Sequence, residues 1–222
     1  IEDLGSVPEP PDSYDDGRFT YRKMLTAPIH DEVYVHDLAT KQSTLIDANG
    51  DYPSLRGSSI AYTSYVQGGA GYVLLLRDLV LGQTTQVSTG TEMVTGAYLA
   101  ESHLVWTQGV GTDMDVYLRD RTSGQTRRLT NDTYEDREPR VAGNLVVWES
   151  RRPDDWEIMV YDISSAQTTQ LTDNGVLDML PCTAGGKVYW QTETGSGLVY
   201  ELFVAEPGSE RPFVDVPADH YY

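Results

Sequence analysis

Short apolar runs closed by Gly, Pro, Asn, Asp or Ser recur along this chain on a fixed period. One kind of run ends in Asp and is followed by a turn and a Gln: Glu32–Asp37 then Gln42, Val73–Asp78 then Gln83, Asp115–Asp120 then Gln125, and Glu157–Asp162 then Gln167. A worn copy is Tyr200–Ala205, with Glu210 in the Gln slot. From copy to copy the slot advances by 41, 42, 42 and 43 residues. A second motif lies between these. Pro53 to Gly57 precedes Ile60-Ala-Tyr62, Pro139 to Gly143 precedes Val146-Val-Trp148, and Pro181 to Gly185 precedes Val188-Tyr-Trp190. Elsewhere Glu101 takes the Gly slot ahead of Trp106, and Gly17 stands ahead of Phe19 and Tyr21.

Each unit therefore predicts four strands. In the clearest copy they are Glu138–Val141, Asn144–Glu149, Glu157–Tyr161 and Thr168–Thr172, separated by turn residues at Gly143, Pro153 to Asp155, and Ser164-Ser165. No window keeps a helical period, so no helix is predicted. A four-stranded meander at this spacing is the signature of a propeller blade. The expected fold class is all-β, a five-bladed β-propeller of four-stranded antiparallel blades. The repeats run at approximately 12–49, 50–90, 91–132, 133–175 and 176–216, within a single domain over 12–222. Residues 1–11 are acidic and Pro-rich and read as a linker leaving an upstream segment. For closure, either Pro212 to Val216 supplies the outer strand of the last blade, or His220-Tyr221-Tyr222 adds a strand to the first.

One such sheet is too small to stand alone, so its faces must be covered by neighbours. The aromatic slot, Tyr21, Tyr62, Trp106, Trp148 and Trp190, is accordingly read as filler between blades. The Asp that ends the third strand, at 37, 78, 120 and 162, is read as a turn-capping residue, because a group repeated in every copy is architecture before it is chemistry.

The Pro-x-x-x-Gly and apolar-apolar-Trp strand pair, the strand ending in Asp, and the Gln-Thr strand closed by Arg128-Leu-Thr130 or Gln170-Leu-Thr172 together resemble TolB-type propeller repeats. These repeats also occur in tandem in bacterial and archaeal cell-surface proteins. The resemblance covers about residues 17–216, is strongest over 115–190, and implies a fold while leaving function open.

Composition narrows the partners. The chain has 222 residues, a formal net charge of −18 and 15 Tyr, with 39% hydrophobic and 23% charged residues. Such a surface repels nucleic acid and anionic lipid. No apolar run approaches the roughly 18 residues of a membrane-spanning helix. The single cysteine, Cys182, forms no internal disulfide, and its apolar strand slot reads as a buried, inert thiol. His36 shares its slot with Arg77, Arg119 and Tyr161 and reads as exposed. No nucleophile elbow, P-loop or dinucleotide fingerprint is present.

The residues just before each inner strand should ring the mouth of the channel. Asp51, Tyr52, Asp136, Arg137, Glu138 and Asp178 are the candidate ligand-binding set, with Asp12, Glu92 and Met179 in like positions. Converging carboxylates favour a bound cation, so Asp51, Asp136 and Asp178 are candidate metal ligands and calcium the candidate cofactor. A second acidic set, Asp31-Glu32, Asp113, Asp115, Asp154-Asp155 and Glu157, begins third strands and reads as turn-forming and edge-protecting. The expected function is a non-catalytic binding or protein-interaction module, monomeric within a larger chain, for a protein or glycan ligand, in an extracellular, cell-surface or periplasmic setting. The alternative is a propeller-type glycoside hydrolase or polysaccharide lyase using Asp51, Asp136, Glu138 and Asp178.

Overall fold

The computed structural model describes residues 12–26, 29–65, 71–89, 92–193, 200–207 and 214–215. The linker assigned to 1–11 and the alternative closing strand at 220–222 lie outside the described residues. Every regular element among the described residues is a β-strand. The chain divides into two compact units, at Glu101 and Ser102.

In the first unit, β1 (Ser13–Asp15), β2 (Arg18–Thr26), β3 (Ile29–Asp37) and β4 (Gln42–Asp47) form one antiparallel sheet in chain order. β5 (Gly50–Arg56), β6 (Ser59–Tyr65), β7 (Tyr72–Asp78) and β8 (Thr84–Gln86) form a second. The third repeat supplies β9 (Met93–Leu99) to this unit, where the Leu99 amide donates to Ser54 Oγ at 2.9 Å. It supplies β10 (His103–Val110), β11 (Asp113–Asp120) and β12 (Thr126–Arg128) to the second unit. There, β13 (Asp136–Ala142), β14 (Leu145–Arg151), β15 (Trp156–Asp162) and β16 (Gln167–Gln170) form a sheet. So do β17 (Asp178–Ala184), β18 (Lys187–Glu193), β19 (Tyr200–Ala205) and β20 (Val214–Asp215). The worn fifth copy thus keeps its third strand. Val214–Asp215, within the first of the two closing segments considered, form the outer strand of the last sheet, Val214 pairing with Val204.

Cores form where one sheet covers the next. Leu145, Val147, Ile158 and Val160 of one sheet pack with Val188, Trp190 and Ala205 of its neighbour. Val33, Val35 and Ile46 do the same with Leu55, Ile60 and Tyr62. All five aromatic-slot residues are buried, Trp190 completely. The strand-end acids cap their turns as expected: Asp37 accepts from the Thr40 amide, Asp78 from Leu81, Asp120 from Ser123 and Asp162 from Ser165, all at 2.6–2.8 Å. These bonds favour the charged form and hold Asp37, Asp120 and Asp162 below the usual carboxylate range.

Two local expectations are corrected. His36 is buried, its ring 4.9 Å from that of Phe19 and its Nδ1 2.9 Å from Ser43 Oγ. Cys182 is exposed. A bulge sets the face it takes: the β17–β18 register jumps between Met179 and Cys182, and Leu180 lies at φ 53°. In the same slot of β5, Ser54 is buried against the Leu99 amide of β9, a cover that Cys182 on the last sheet lacks among the described residues. The extra residue reverses the alternation, so Pro181 turns inward and Cys182 outward. What burial the thiol retains pushes its pKa up, away from nucleophilic chemistry.

Candidate functional site

The bulge is a repeated device. The same register jump occurs in β5 between Asp51 and Ser54, and in β13 between Arg137 and Arg140. Tyr52 (φ 48°), Glu138 (φ 51°) and Leu180 (φ 53°) occupy the left-handed slot, each directly before a proline. Non-glycine residues held there cost on the order of 1–3 kcal/mol. Because the strain recurs in three copies it belongs to the architecture, and it fixes where the flanking candidate residues go.

Asp136 and Asp178 share one repeat slot, two residues ahead of the strained position, and both are buried. Trp148 Nε1 donates to Asp136 Oδ1 at 3.1 Å, and Trp190 Nε1 donates to Asp178 Oδ1 at 3.2 Å. The Thr192 hydroxyl donates to the same oxygen of Asp178, and Asn174 Nδ2 donates to its other oxygen at 3.1 Å. The second oxygen of Asp136 is buried with no hydrogen-bond partner. Burial pushes Asp136 up to about 6, against the nearby Ser150 and Thr130 hydroxyls and the indole. In the third repeat Val94 fills the Asp slot, and Trp106 Nε1 turns instead to Gln108 Oε1 at 3.3 Å. In the second, Gly50 fills it and the aromatic is Tyr62. Where the slot holds no acid, the indole takes another acceptor, as Trp106 does, or the aromatic is a tyrosine, as at Tyr62.

Asp51 and Tyr52 belong to the first unit. Arg22 on β2 bridges two acids there, Nη1 to Asp51 at 2.8 Å and Nε to Asp12 at 3.0 Å, and lies 5.4 Å from the Tyr52 ring centre. Burial raises the Asp12 pKa even so. In the second unit Arg137 stacks 3.6 Å from the Trp156 ring centre and pairs with Glu149, while Glu138 pairs with Arg140 at 2.9 Å. Glu149 is itself buried and accepts from the Leu180 amide at 2.6 Å, tying one strained bulge to the sheet before it. Each candidate carboxylate therefore has a protein partner. Among the described residues no group of three or more His, Cys, Asp or Glu side chains is placed to hold a metal ion.

Two of the acids at the start of the third strands differ from the expectation for them. Asp115 and Glu157 are buried rather than edge-protecting. Arg128 and Thr130 both donate to Asp115. Glu157 Oε1 accepts from the Asn174 amide at 3.1 Å, but its Oε2 and the Oδ2 of Asp155 are buried with no donor. These two carboxyls face each other. Burial, with the charges of Asp155 and Asp178 adding to it, pushes Glu157 up to about 7, and burial likewise raises Asp155.

A cleft of about 390 Å³ opens nearby in the second unit, among the β10–β11 turn (Thr112), the β12–β13 connection (Thr133, Tyr134, Glu135) and the β14–β15 turn (Arg151, Arg152). Arg152 lies 4.2 Å from the Tyr134 ring centre. Its Nη2 donates to the Met159 sulfur at 3.3 Å, and its Nε is buried without an acceptor. Arg151 reaches Glu135 only at 4.0 Å.

No family model and no curated protein matches the chain. Solved structures do. TolB from Acinetobacter baumannii matches with a TM-score of 0.65 at 20% identity, over 86% of this chain and 50% of that one. A prolyl endopeptidase matches with a TM-score of 0.71 at 14% identity, over 92% and 34%. The tricorn protease matches with a TM-score of 0.62 at 14% identity, over 90% and 23%. The fold is that of a TolB-type β-propeller. The chain spans about half the length of the TolB chain and about a third of the endopeptidase chain.

Seen as blades, the repeats separate structural acids from accessible groups. Asp136 and Asp178 serve the indoles of their own blades. Arg22, Glu149 and Arg152 were absent from the sequence-derived set. Arg22 and Glu149 occupy ordinary strand slots and acquire their roles only through residues distant in the chain. For Arg152 there was one signal, an Arg-Arg-Pro turn in a chain with 34 acidic and 16 basic residues.

Proposed function

We propose that this chain is a non-catalytic binding or interaction module, a five-bladed propeller that forms part of a longer exported or cell-surface protein. The observation that carries this reading is the contrast between its buried acids and its open cleft. Asp136 and Asp178 are committed to indoles. Asp155 and Glu157 are turned towards each other, and burial raises the pKa of both. The cleft beside them presents an arginine without a carboxylate partner. The relatives in solved structures support a part-chain role, since this chain matches only a portion of each.

The test is a paired screen of the purified chain. Chromogenic glycosides, acidic polysaccharides and peptides are incubated with it and followed for turnover, and the immobilised chain is probed for saturable binding of proteins, peptides and glycans. Saturable binding without turnover is expected. Turnover of any of these substrates rejects the reading.

A further inference from the structure

The cleft between Tyr134 and Arg152 gathers two arginines, Arg151 and Arg152, against one acid, Glu135, in a chain of net charge −18. Electrostatics alone would pair every arginine of such a protein with one of its many acids, and many are so paired: Arg22, Arg56, Arg128, Arg137 and Arg140 each reach a carboxylate at 3.3 Å or less. Arg152 does not. Its guanidinium carbon lies 4.2 Å from the Tyr134 ring centre, one end touches a thioether, and its Nε–H is buried without an acceptor among the described residues. A guanidinium fixed by such contacts is pre-oriented, and its planar fork matches the two oxygens of a carboxylate. Arg151, half free at 4.0 Å from Glu135, borders the same space.

We propose, building on the binding-module reading, that this cleft is the ligand site and that it captures a carboxylate of a peptide, an Asp or Glu side chain or a free C-terminus, on Arg152. A glycan suits it less. Sugar rings need an open aromatic face, whereas Tyr134 is covered by Arg152 and Trp156 is flanked by Arg137 at 3.6 Å and Arg151 at 5.9 Å. The volume of about 390 Å³ suits a few residues of a peptide rather than a folded surface. Thr112 and Thr133 add hydroxyls that serve as donors or acceptors for the peptide backbone.

The test uses the whole chain on an array of twelve-residue peptides, each Asp- or Glu-bearing sequence paired with its Asn or Gln counterpart, and each free C-terminus with its amide. The best sequence is then titrated in solution. Carboxylate-bearing members are expected to bind and their amide counterparts not. Arg152→Gln is expected to weaken binding by about tenfold to a hundredfold, with Arg152→Lys between the two, because a lysine keeps the charge and loses the fork. Lys187→Gln removes one positive charge elsewhere and should leave affinity unchanged. Melting curves matched to the parent's exclude a folding defect in the Arg152 variants, and Tyr134→Leu gives a second route to the same loss.

Equal binding of amide counterparts, full affinity in Arg152→Gln, or an array with no bound peptide overturns the proposal. So does Arg152-dependent binding of inorganic phosphate without any peptide, which would assign the cleft to free oxyanions. A protein ligand held equally by the parent and Arg152→Gln sinks the cleft but leaves the binding-module reading. Cleavage of a bound peptide sinks that reading but leaves the cleft.

Discussion

The third and fourth repeats carry the same acidic motif and treat it in opposite ways. Asp113-x-Asp115 and Asp155-x-Glu157 stand one period apart, and in both the second acid is buried at the start of the third strand. The fourth strands align as well: Tyr117 pairs with Arg128 and Met159 with Gln170. Thr130 and Thr172 make the same bond, accepting from the Val116 and Ile158 amides at 2.9 and 2.8 Å. Arg128 Nε and Gln170 Nε2 even donate to the same carbonyl position, both at 2.9 Å. The difference is that Arg128 also neutralises Asp115, whereas Gln170 has no charge to give Glu157. One difference in an exposed strand therefore gives one buried acid a cation and leaves the other without one. Burial raises the Asp115 pKa too, but Arg128 and Thr130 oppose it. Glu157 lacks the guanidinium and gains the repulsion of Asp155 and Asp178.

The largest effect expected from perturbing these two blades lies beneath the acids, in the aromatic slot they share. Trp148→Ala should cost about 3–5 kcal/mol, the usual range for deleting a buried aromatic, and Trp106→Ala about as much. Chemical denaturation of both variants checks this. The milder Trp→Phe pair separates the blades. Trp148→Phe strips the buried Asp136 of its indole donor and should cost more than Trp106→Phe, where the abandoned partner is the neutral Gln108. Equal costs would mean that the Asp136 bond contributes nothing beyond packing.

Arg128→Gln converts the third repeat into a copy of the fourth. It leaves Asp115 buried without its cation and should destabilise the chain by about 1–3 kcal/mol at pH 8. This is less than for a fully buried pair, because the Arg128 side chain is 43% exposed. The loss should shrink as pH falls and Asp115 protonates. A loss independent of pH would assign the role of Arg128 to packing of its stem.

The pair Asp155 and Glu157 should make stability depend on pH around neutrality. Glu157 titrates from 4.5 in the unfolded chain to about 7 in the folded one, so the folded form binds the proton more tightly. Its contribution is complete below pH 4.5 and is lost as pH rises through about 7. The parent should lose on the order of 1–3 kcal/mol between pH 5 and 8 from this site, and Glu157→Gln should flatten that slope. Melting curves at half-unit pH steps decide it, and a slope unchanged in the variant would refute the assignment of that slope to Glu157.

The period, the strands, the aromatic slot and the Asp turn caps were all legible in the sequence, because each is local and written several times over. What was not legible depends on single residues meeting across the fold. The bulge that turns Cys182 outward follows from a left-handed residue before a proline, a conformation that proline ordinarily disfavours. Asp136 and Asp178 stood in loop-like positions suited to a channel mouth, and only the β13–β14 and β17–β18 registers, opposite Ser150 and Thr192, put them under the indoles. The pairing of Asp51 and Asp12 through Arg22 joins residues 29 and 10 positions away. Each of these facts depends on backbone geometry or on a partner elsewhere in the fold, which the period of the repeat does not record.

The smallest effect is also the most direct test of the comparison. Gln170→Arg gives the fourth repeat the cation of the third. Gln170 sits on a fully exposed strand opposite Met159, so the longer side chain meets no packed neighbour there. From the equivalent position Arg128 reaches Asp115 in the third repeat, and Glu157 is one methylene longer than Asp115, which shortens the reach required. The guanidinium should favour the charged form of Glu157, lower its pKa, and stabilise the chain by about 1 kcal/mol at pH 8. At pH 5, where the parent's Glu157 already holds its proton, the gain should nearly vanish. The measurement is the difference in melting temperature between variant and parent at the two pH values, with Glu157→Gln as background. In that background the added guanidinium has no carboxylate to pair at position 157 and should do nothing. A gain that persists there would mean that the new cation acts on Asp155 or Asp173 instead, and no gain at pH 8 in either would show that burial and Asp178, not a missing cation, set the two repeats apart.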